Sequence, residues 1–263
     1  MPTVSDVSQY LESIAPLHLQ ESYDNAGLLT GHPNWELTGV LTSLDCTEEV
    51  VVEAKNRGCN MVVAHHPIVF RGLKKITGRT YVERTIIRAI KEDVAIYAIH
   101  TNLDNVRAQG VNERIALQLG LKELQLLAPK NEDKTVGSGM VGELPSALEE
   151  SAFLEHLKVS MGVSVIKHTA LLGKVINRVA VCGGAGGFLL REAKQSGAQV
   201  FVTSDYKYHE YFDAEGEILI CDIGHYESEQ FTIQLLAELL KKKFSTFAVL
   251  CTELITNPVR YYY

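Results

Sequence analysis

Asn60-Met61-Val62-Val63-Ala64-His65-His66-Pro67-Ile68-Val69-Phe70 is the stretch on which the fold turns. Its apolar run, Met61 to Ala64, ends in two adjacent histidines, and Pro67 then removes a backbone donor and blocks further regular pairing. This is the pattern of a buried strand whose C-terminal tip presents imidazoles, the edge at which open α/β sheets place ligands. Successive strand side chains point to opposite faces, so a regular strand would aim His65 and His66 apart. Two neighbouring histidines at a tip therefore suit two ions side by side better than one ion held by both. The plainer alternative makes one of them a core residue and the other a solvated one.

On the upstream side, residues 39–44 read as a strand and 48–57 as a helix that Asp45 or Thr47 could cap. Further back, Val4, Val7, Leu11 and Ile14 form a helical stripe opened by a Thr3-x-x-Asp6 capping box. Asp24 and Asn25, between them, are natural turn residues. Downstream, Phe70-Arg71-Gly72-Leu73-Lys74-Lys75 leaves the strand carrying three cations. A helix near 81–91 and a strand near 94–99 follow, and the strand ends in His100-Thr101-Asn102-Leu103-Asp104. A helix over 113–119 continues the alternation. Strand, helix, strand, helix with short connections predicts a mostly parallel sheet covered by helices.

The polar, Gly-containing stretch 128–139 reads as a boundary, giving a first lobe over 1–127 and a second over 128–263. In the second lobe, Ser146 and Glu149 stand in capping-box relation before a helix at 147–159, with strands near 163–167 and 175–181. Cys182-Gly183-Gly184-Ala185-Gly186-Gly187 joins the latter strand to a helix at 188–195. It has neither the Walker nor the Rossmann glycine spacing, so it reads as a tight turn with close helix–strand packing rather than as a phosphate loop. A strand at 218–223 ends at Gly224-His225-Tyr226-Glu227-Ser228-Glu229, where His225 and Glu229 are four apart and share a helix face. The last helix, with stripe Phe231, Leu235 and Leu239, and a strand near 247–251 are free to pack back on the first lobe.

Residues 53–66 also align on 192–205 at a constant offset of 139, with five identities in fourteen positions. The fold expected is α/β, with two related three-layer-like lobes forming an internal pseudo-repeat and facing each other across a dinuclear metal cleft.

The bulk composition narrows the function. The chain has 263 residues, 46% of them hydrophobic, enough to bury one large core or two modest ones. A net charge of −7 argues against nucleic acid or anionic membrane as a generic partner. An anionic substrate would need local cations, either metal ions or a small cluster such as Arg71, Lys74 and Lys75. The five cysteines form no Cys-x-x-Cys pair and read as buried thiols of a reducing cytoplasm. The first Lys or Arg is Lys55, so neither a secretory n-region nor a mitochondrial transit peptide is expected, and no apolar run nears the roughly 18–20 residues of a membrane span.

His65, His66, Asp104, His225 and Glu229 all stand at or just after strand ends. With the strand tips of both lobes turned inward they would converge, offering nitrogen and oxygen donors suited to two divalent transition-metal ions, whether Zn, Fe, Mn, Ni or Co. A water shared by the pair could ionise near neutral pH and act as a nucleophile. Asp205 or His209 could then relay protons.

Six segments carry a family resemblance: Tyr23-Asp24-Asn25-Ala26-Gly27-Leu28, Ala64-His65-His66-Pro67, His100-Thr101-Asn102-Leu103-Asp104, Cys182-Gly183-Gly184-Ala185-Gly186, Thr203-Ser204-Asp205-Tyr206-Lys207-Tyr208-His209 and Gly224-His225-Tyr226-Glu227-Ser228-Glu229. In these the chain resembles the GTP cyclohydrolase I type 2 homologue, or Nif-three-like, family. The resemblance implies a dinuclear metal site at His65, His66, Asp104, His225 and Glu229, a two-lobed subunit and a toroidal homohexamer. It also implies opening of the GTP purine ring with release of formate. Longer relatives carry an extra domain for which the connection at 127–142 leaves no room, and Gln109-Gly110 stands where the family often has Gly-Gly. The two functions expected are a metal-dependent hydrolase of a nucleotide or related phosphorylated heterocycle, and, from another class, a non-catalytic ring-shaped scaffold stabilised by metal.

Overall fold

Thr3 and Asp6 form the expected reciprocal box: the Thr3 hydroxyl accepts from the Asp6 amide at 3.3 Å and the Asp6 carboxylate accepts from the Thr3 amide at 2.7 Å. They open α1 (Val4–Ile14), and β1 (Gly27–Thr30), β2 (Gly39–Ser43), α2 (Glu48–Asn56), β3 (Met61–Ala64), α3 (Tyr81–Lys91), β4 (Ala95–Ala98) and α4 (Thr101–Asp104) follow. Next come α5 (Val111–Gln118), β5 (Lys122–Pro129), β6 (Gly137–Glu149), α6 (Glu150–Met161), β7 (Lys167–His168), β8 (Val175–Val181) and α7 (Leu190–Gln195). The chain closes with β9 (Val200–Thr203), β10 (Leu219–Asp222), α8 (His225–Glu229), α9 (Thr232–Lys243) and β11 (Ala248–Cys251). This computed structural model describes residues 1–262, so Tyr263 at the end of the aromatic tail lies outside the described residues. No helix among them is long and apolar enough to cross a membrane.

The chain divides into two compact units, Met1–Leu103 joined by the stretch from Thr232 onward, and Asp104–Phe231. The first is built on a five-stranded sheet in the order β1-β4-β3-β2-β11, parallel except where β1 runs against β4. β3 lies at its centre with Met61, Val62, Val63 and Ala64 all sealed from solvent. Alternation sorts the strand residues between the two faces. Leu41, Val62 and Ile96 pack with Val50, Val51 and Ala54 of α2 and Ile86 and Ala89 of α3. On strand neighbours of the opposite parity, the Thr42 hydroxyl donates to the Ile233 carbonyl of α9 at 2.9 Å, and the Tyr97 hydroxyl meets Glu12 of α1 at 3.3 Å. Each buried branched side chain contributes about 1.5–3 kcal/mol. That burial holds the tip of β3 in place.

The second unit carries a six-stranded sheet, β5-β6-β8-β9-β10-β7. β8, β9 and β10 are parallel; β5, β6 and β7 enter antiparallel. The polar stretch 128–139 is therefore the turn of a hairpin, with Leu126 opposite Met140 and Ala128 opposite Ser138, and it lies within the second unit. The units part at Leu103 and Asp104, and α9 and β11 complete the first one, β11 pairing with β2 from Ala248 opposite Gly39 onward. The Ser146/Glu149 capping box does not form. Sheet pairing takes those residues, Leu148 lying opposite Ile176, and α6 starts at Glu150 without a side-chain cap. Among the described residues all five cysteines are free thiols, and only Cys251 is not buried.

Candidate functional site

In the first unit, regular strand geometry ends at Ala64, so the alternation that would splay His65 and His66 lapses one residue too early to act on them. Their amides bond to the carbonyls of Ser43 and Leu44 beside them. The two rings lie 4.9 Å apart, and His100, from just beyond β4, stands 5.3 Å from His65 and 5.4 Å from His66. One donor atom from each of the three lies within 4.8 Å of the others, close enough for the group to hold a metal ion.

Each ring is fixed through Nδ1. His65 Nδ1 lies 2.8 Å from the Ile99 carbonyl, His66 Nδ1 2.8 Å from Asp45 and His100 Nδ1 2.8 Å from Asp24. A carbonyl or carboxylate only accepts, so each Nδ1 carries a proton, and Nε2 is the ring nitrogen left to bind a cation. An imidazole oriented by an oxygen on its far nitrogen is the usual arrangement of a metal-binding histidine. Asp24 also accepts from the amide of Thr101 at 3.0 Å and from its hydroxyl, and its side chain is fully buried. Burial pushes its carboxyl upward, but the bonds to His100 and Thr101 outweigh this and hold it at about 2.

In the second unit, β10 delivers His225 to the first position of α8. His225 Nε2 lies 3.2 Å from Glu229 Oε2, and His225 Nδ1 lies 2.7 Å from Asp205 Oδ2. Two donors that share a tetrahedral ion at ~2.0–2.1 Å stand ~3.3 Å apart, so the His225–Glu229 spacing fits a common cation. Desolvation opposes charge on His225, yet the bonds to Asp205 and Glu229 prevail and lift it to about 11. The field that holds a proton there equally favours a metal ion.

The glycine-rich loop is the floor under this pair. Gly184 sits at φ +61°, and a Cβ on it would come within 2.6 Å of Glu229 Oε1. Its amide donates to Ser228 at 3.0 Å, and its carbonyl accepts from the Ser204 amide and hydroxyl. Asp104 is tied to the same loop through Asn112, whose side chain donates to the Asp104 carbonyl and accepts from the Gly183 amide, each at 3.0 Å. Burial raises the neighbouring Cys182 thiol, and the Asp104 and Glu229 carboxylates raise it further, so a thiolate is not offered to a cation.

A family model described as Duf34/NIF3 (NGG1p interacting factor 3) matches residues 2–258. The chain belongs to this family. A relative from Clostridium perfringens, described as a GTP cyclohydrolase 1 type 2 homolog, is 34% identical over 244 residues, covering 92% of this chain and 93% of its own. One from Lactococcus lactis with the same description is 34% identical, covering 97% and 98%. Among solved structures, a Staphylococcus aureus hypothetical protein superposes with a TM-score of 0.91 at 29% identity over 99% of both chains.

Several residues of this NIF3-family site lie outside the sequence expectation. His100 joins His65 and His66, and Asp24 and Asp45, read as turn and cap residues, hold imidazoles. Thr47 alone caps α2. The tip position shared by His65 and His100 was the available signal for His100. Asp24 gives none, because its partner lies 76 residues away. Asp205, expected as a proton relay, orients His225 from a left-handed backbone at φ +61°. His209 is exposed on a short 3-10 helix (Tyr208–Ala214), stacked 6.3 Å from Phe212, and has no hydrogen bond to Asp205 or His225 among the described residues. Arg71, Lys74 and Lys75 are exposed on the loop after β3.

Proposed function

We propose that the chain is a metal-dependent hydrolase acting on a nucleotide or related phosphorylated heterocycle, with two divalent transition-metal ions bound by His65, His66, Asp104, His225 and Glu229. The observation that carries this reading is the shared orientation of the His65, His66 and His225 imidazoles, each with an oxygen on Nδ1. The matching starts of β3 and β9, 139 residues apart like the aligned segments, support two related halves. Bound ions would lower the pKa of water toward neutrality and polarise the carbon under attack.

The chain's own residues would manage protons and charge. Asp24 fixes the tautomer of His100, so that His100 Nε2 takes a proton from the attacking water and returns it to the departing ring nitrogen. Asp205 keeps His225 in register in the same way. Arg71, Lys74 and Lys75 would meet the phosphates. The descriptions of the Clostridium perfringens and Lactococcus lactis relatives support GTP as the first substrate to try, with the purine ring opened and formate released. Assembly into a cytoplasmic homohexameric ring follows from the same resemblance, and light scattering tests it. The function is tested by incubating metal-loaded protein with GTP and following formate and pterin fluorescence. Turnover is expected, with loss in His65→Ala and His225→Ala; absence of turnover in the wild-type chain, or turnover untouched by both changes, would overturn the cyclohydrolase reading.

A further inference from the structure

The loop that leaves β3 sets Phe70 against the imidazole cluster, and the segment before β1 lays Tyr23 beside it, so that two exposed aromatic rings adjoin the imidazoles. The Phe70 ring lies 6.2 Å from that of His100, nearly edge-on at 73°, and Tyr23 lies 6.1 Å from Phe70, tilted by 46°. Phe70 is 43% exposed and Tyr23 61%. Burying an aromatic ring yields about 1.5–3 kcal/mol, so two exposed rings side by side form an apolar surface beside polar donors.

Both rings are held in place. Asp24, next to Tyr23, is bound by His100 and Thr101, and the Asn25 side chain donates to the Val69 carbonyl, next to Phe70, at 2.6 Å. The chain then runs straight into Arg71, Lys74 and Lys75, none of which enters an ion pair among the described residues. In a chain of net charge −7 this is a local excess of positive charge. Glu83 anchors the far end of the loop, accepting from the amides of Thr77 at 2.7 Å and Arg79 at 3.1 Å.

We propose that Tyr23 and Phe70 are the ring-binding subsite of the site described above: a planar heteroaromatic base stacks on one ring and meets the other at its edge, beside His100, while its phosphates reach Arg71, Lys74 and Lys75. The substrate class rests on the proposed function; the subsite itself rests on the rings and cations. Stacking on a π face tolerates any base, so Tyr23 and Phe70 select for planarity and leave base identity to other contacts.

The test is equilibrium binding by calorimetry on metal-free and metal-loaded protein, with GTP, ATP and inorganic tripolyphosphate as probes. Wild-type protein binds GTP and ATP more tightly than tripolyphosphate. Phe70→Leu and Tyr23→Leu each weaken nucleotide binding about tenfold and leave tripolyphosphate unchanged, as loss of base stacking requires. Arg71→Gln/Lys74→Gln/Lys75→Gln weakens all three probes. The proposal is overturned if the Tyr23→Leu/Phe70→Leu double variant binds nucleotides within twofold of wild type, if tripolyphosphate falls in step, or if wild-type protein does not prefer nucleotides. Formate release from the same samples separates the two readings. Ring-dependent binding without formate would sink the cyclohydrolase reading alone, and turnover with unchanged kcat/KM in the double variant would sink the subsite alone.

Discussion

Replacing Asp24 with Asn keeps the shape of a fully buried side chain and removes its charge. The carboxylate accepts from His100 Nδ1, the Thr101 amide and the Thr101 hydroxyl. The amide that replaces one of its oxygens can only donate, so at least one of these donors is left facing another donor. The folded carboxyl sits near 2 against an ordinary 3.8, so its stabilisation is fully present above about pH 4 and is lost as the pH falls through about 2. A displacement of that size corresponds to about 2 kcal/mol at neutral pH. Urea unfolding of metal-free protein, wild type against Asp24→Asn, at steps from pH 7 to pH 2.5, reads this directly. The gap should be about 2 kcal/mol at pH 7, hold down to about pH 4, and narrow below it. A gap that is flat over the whole range, or one below about 0.5 kcal/mol at pH 7, would refute the role given to Asp24.

Other positions give independent checks. Glu83, also held at about 2 by bonds from Thr77, Arg79 and Thr80, contributes stability present above about pH 4.5 and lost toward pH 2; in Glu83→Gln the amides of Thr77 and Arg79 should exchange hydrogen faster, and unchanged exchange would contradict the anchor. Asp205→Asn should weaken metal affinity about 10- to 100-fold and lower the pKa of His225 from about 11 in metal-free protein, measured by competition with a chelator and by NMR titration. Gln109 occupies a left-handed backbone at φ +61°, where a Cβ is costly. Gln109→Gly should therefore raise stability by up to about 1 kcal/mol, and a loss in urea unfolding would show the Gln109 side chain to matter more than its backbone.

The local part of this architecture was written plainly in the sequence. An apolar run cut off by His65, His66 and Pro67 can hardly be anything but a strand tip, and the spacing of His225 and Glu229 marks one helix face. What escaped was non-local. Asp24 looks like any turn aspartate until β4 folds His100 against it, and Asp45 looks like a cap residue until β3 lies beside β2. The hairpin of β5 and β6 escaped for a different reason. Gly137, Gly139 and Gly142 dilute the strand signal of β6, and a polar turn has the same composition as a linker.

The central claim is that imidazoles and carboxylates from separate parts of the chain bind a pair of metal ions. Its most direct test is elemental analysis of protein purified without added metal, then reloaded and dialysed, compared with His65→Ala and Glu229→Ala. About two transition-metal ions per chain are expected in the wild type, with a clear loss in each variant. A wild-type chain that takes up no transition metal, or variants that load as fully as the wild type, would contradict the account.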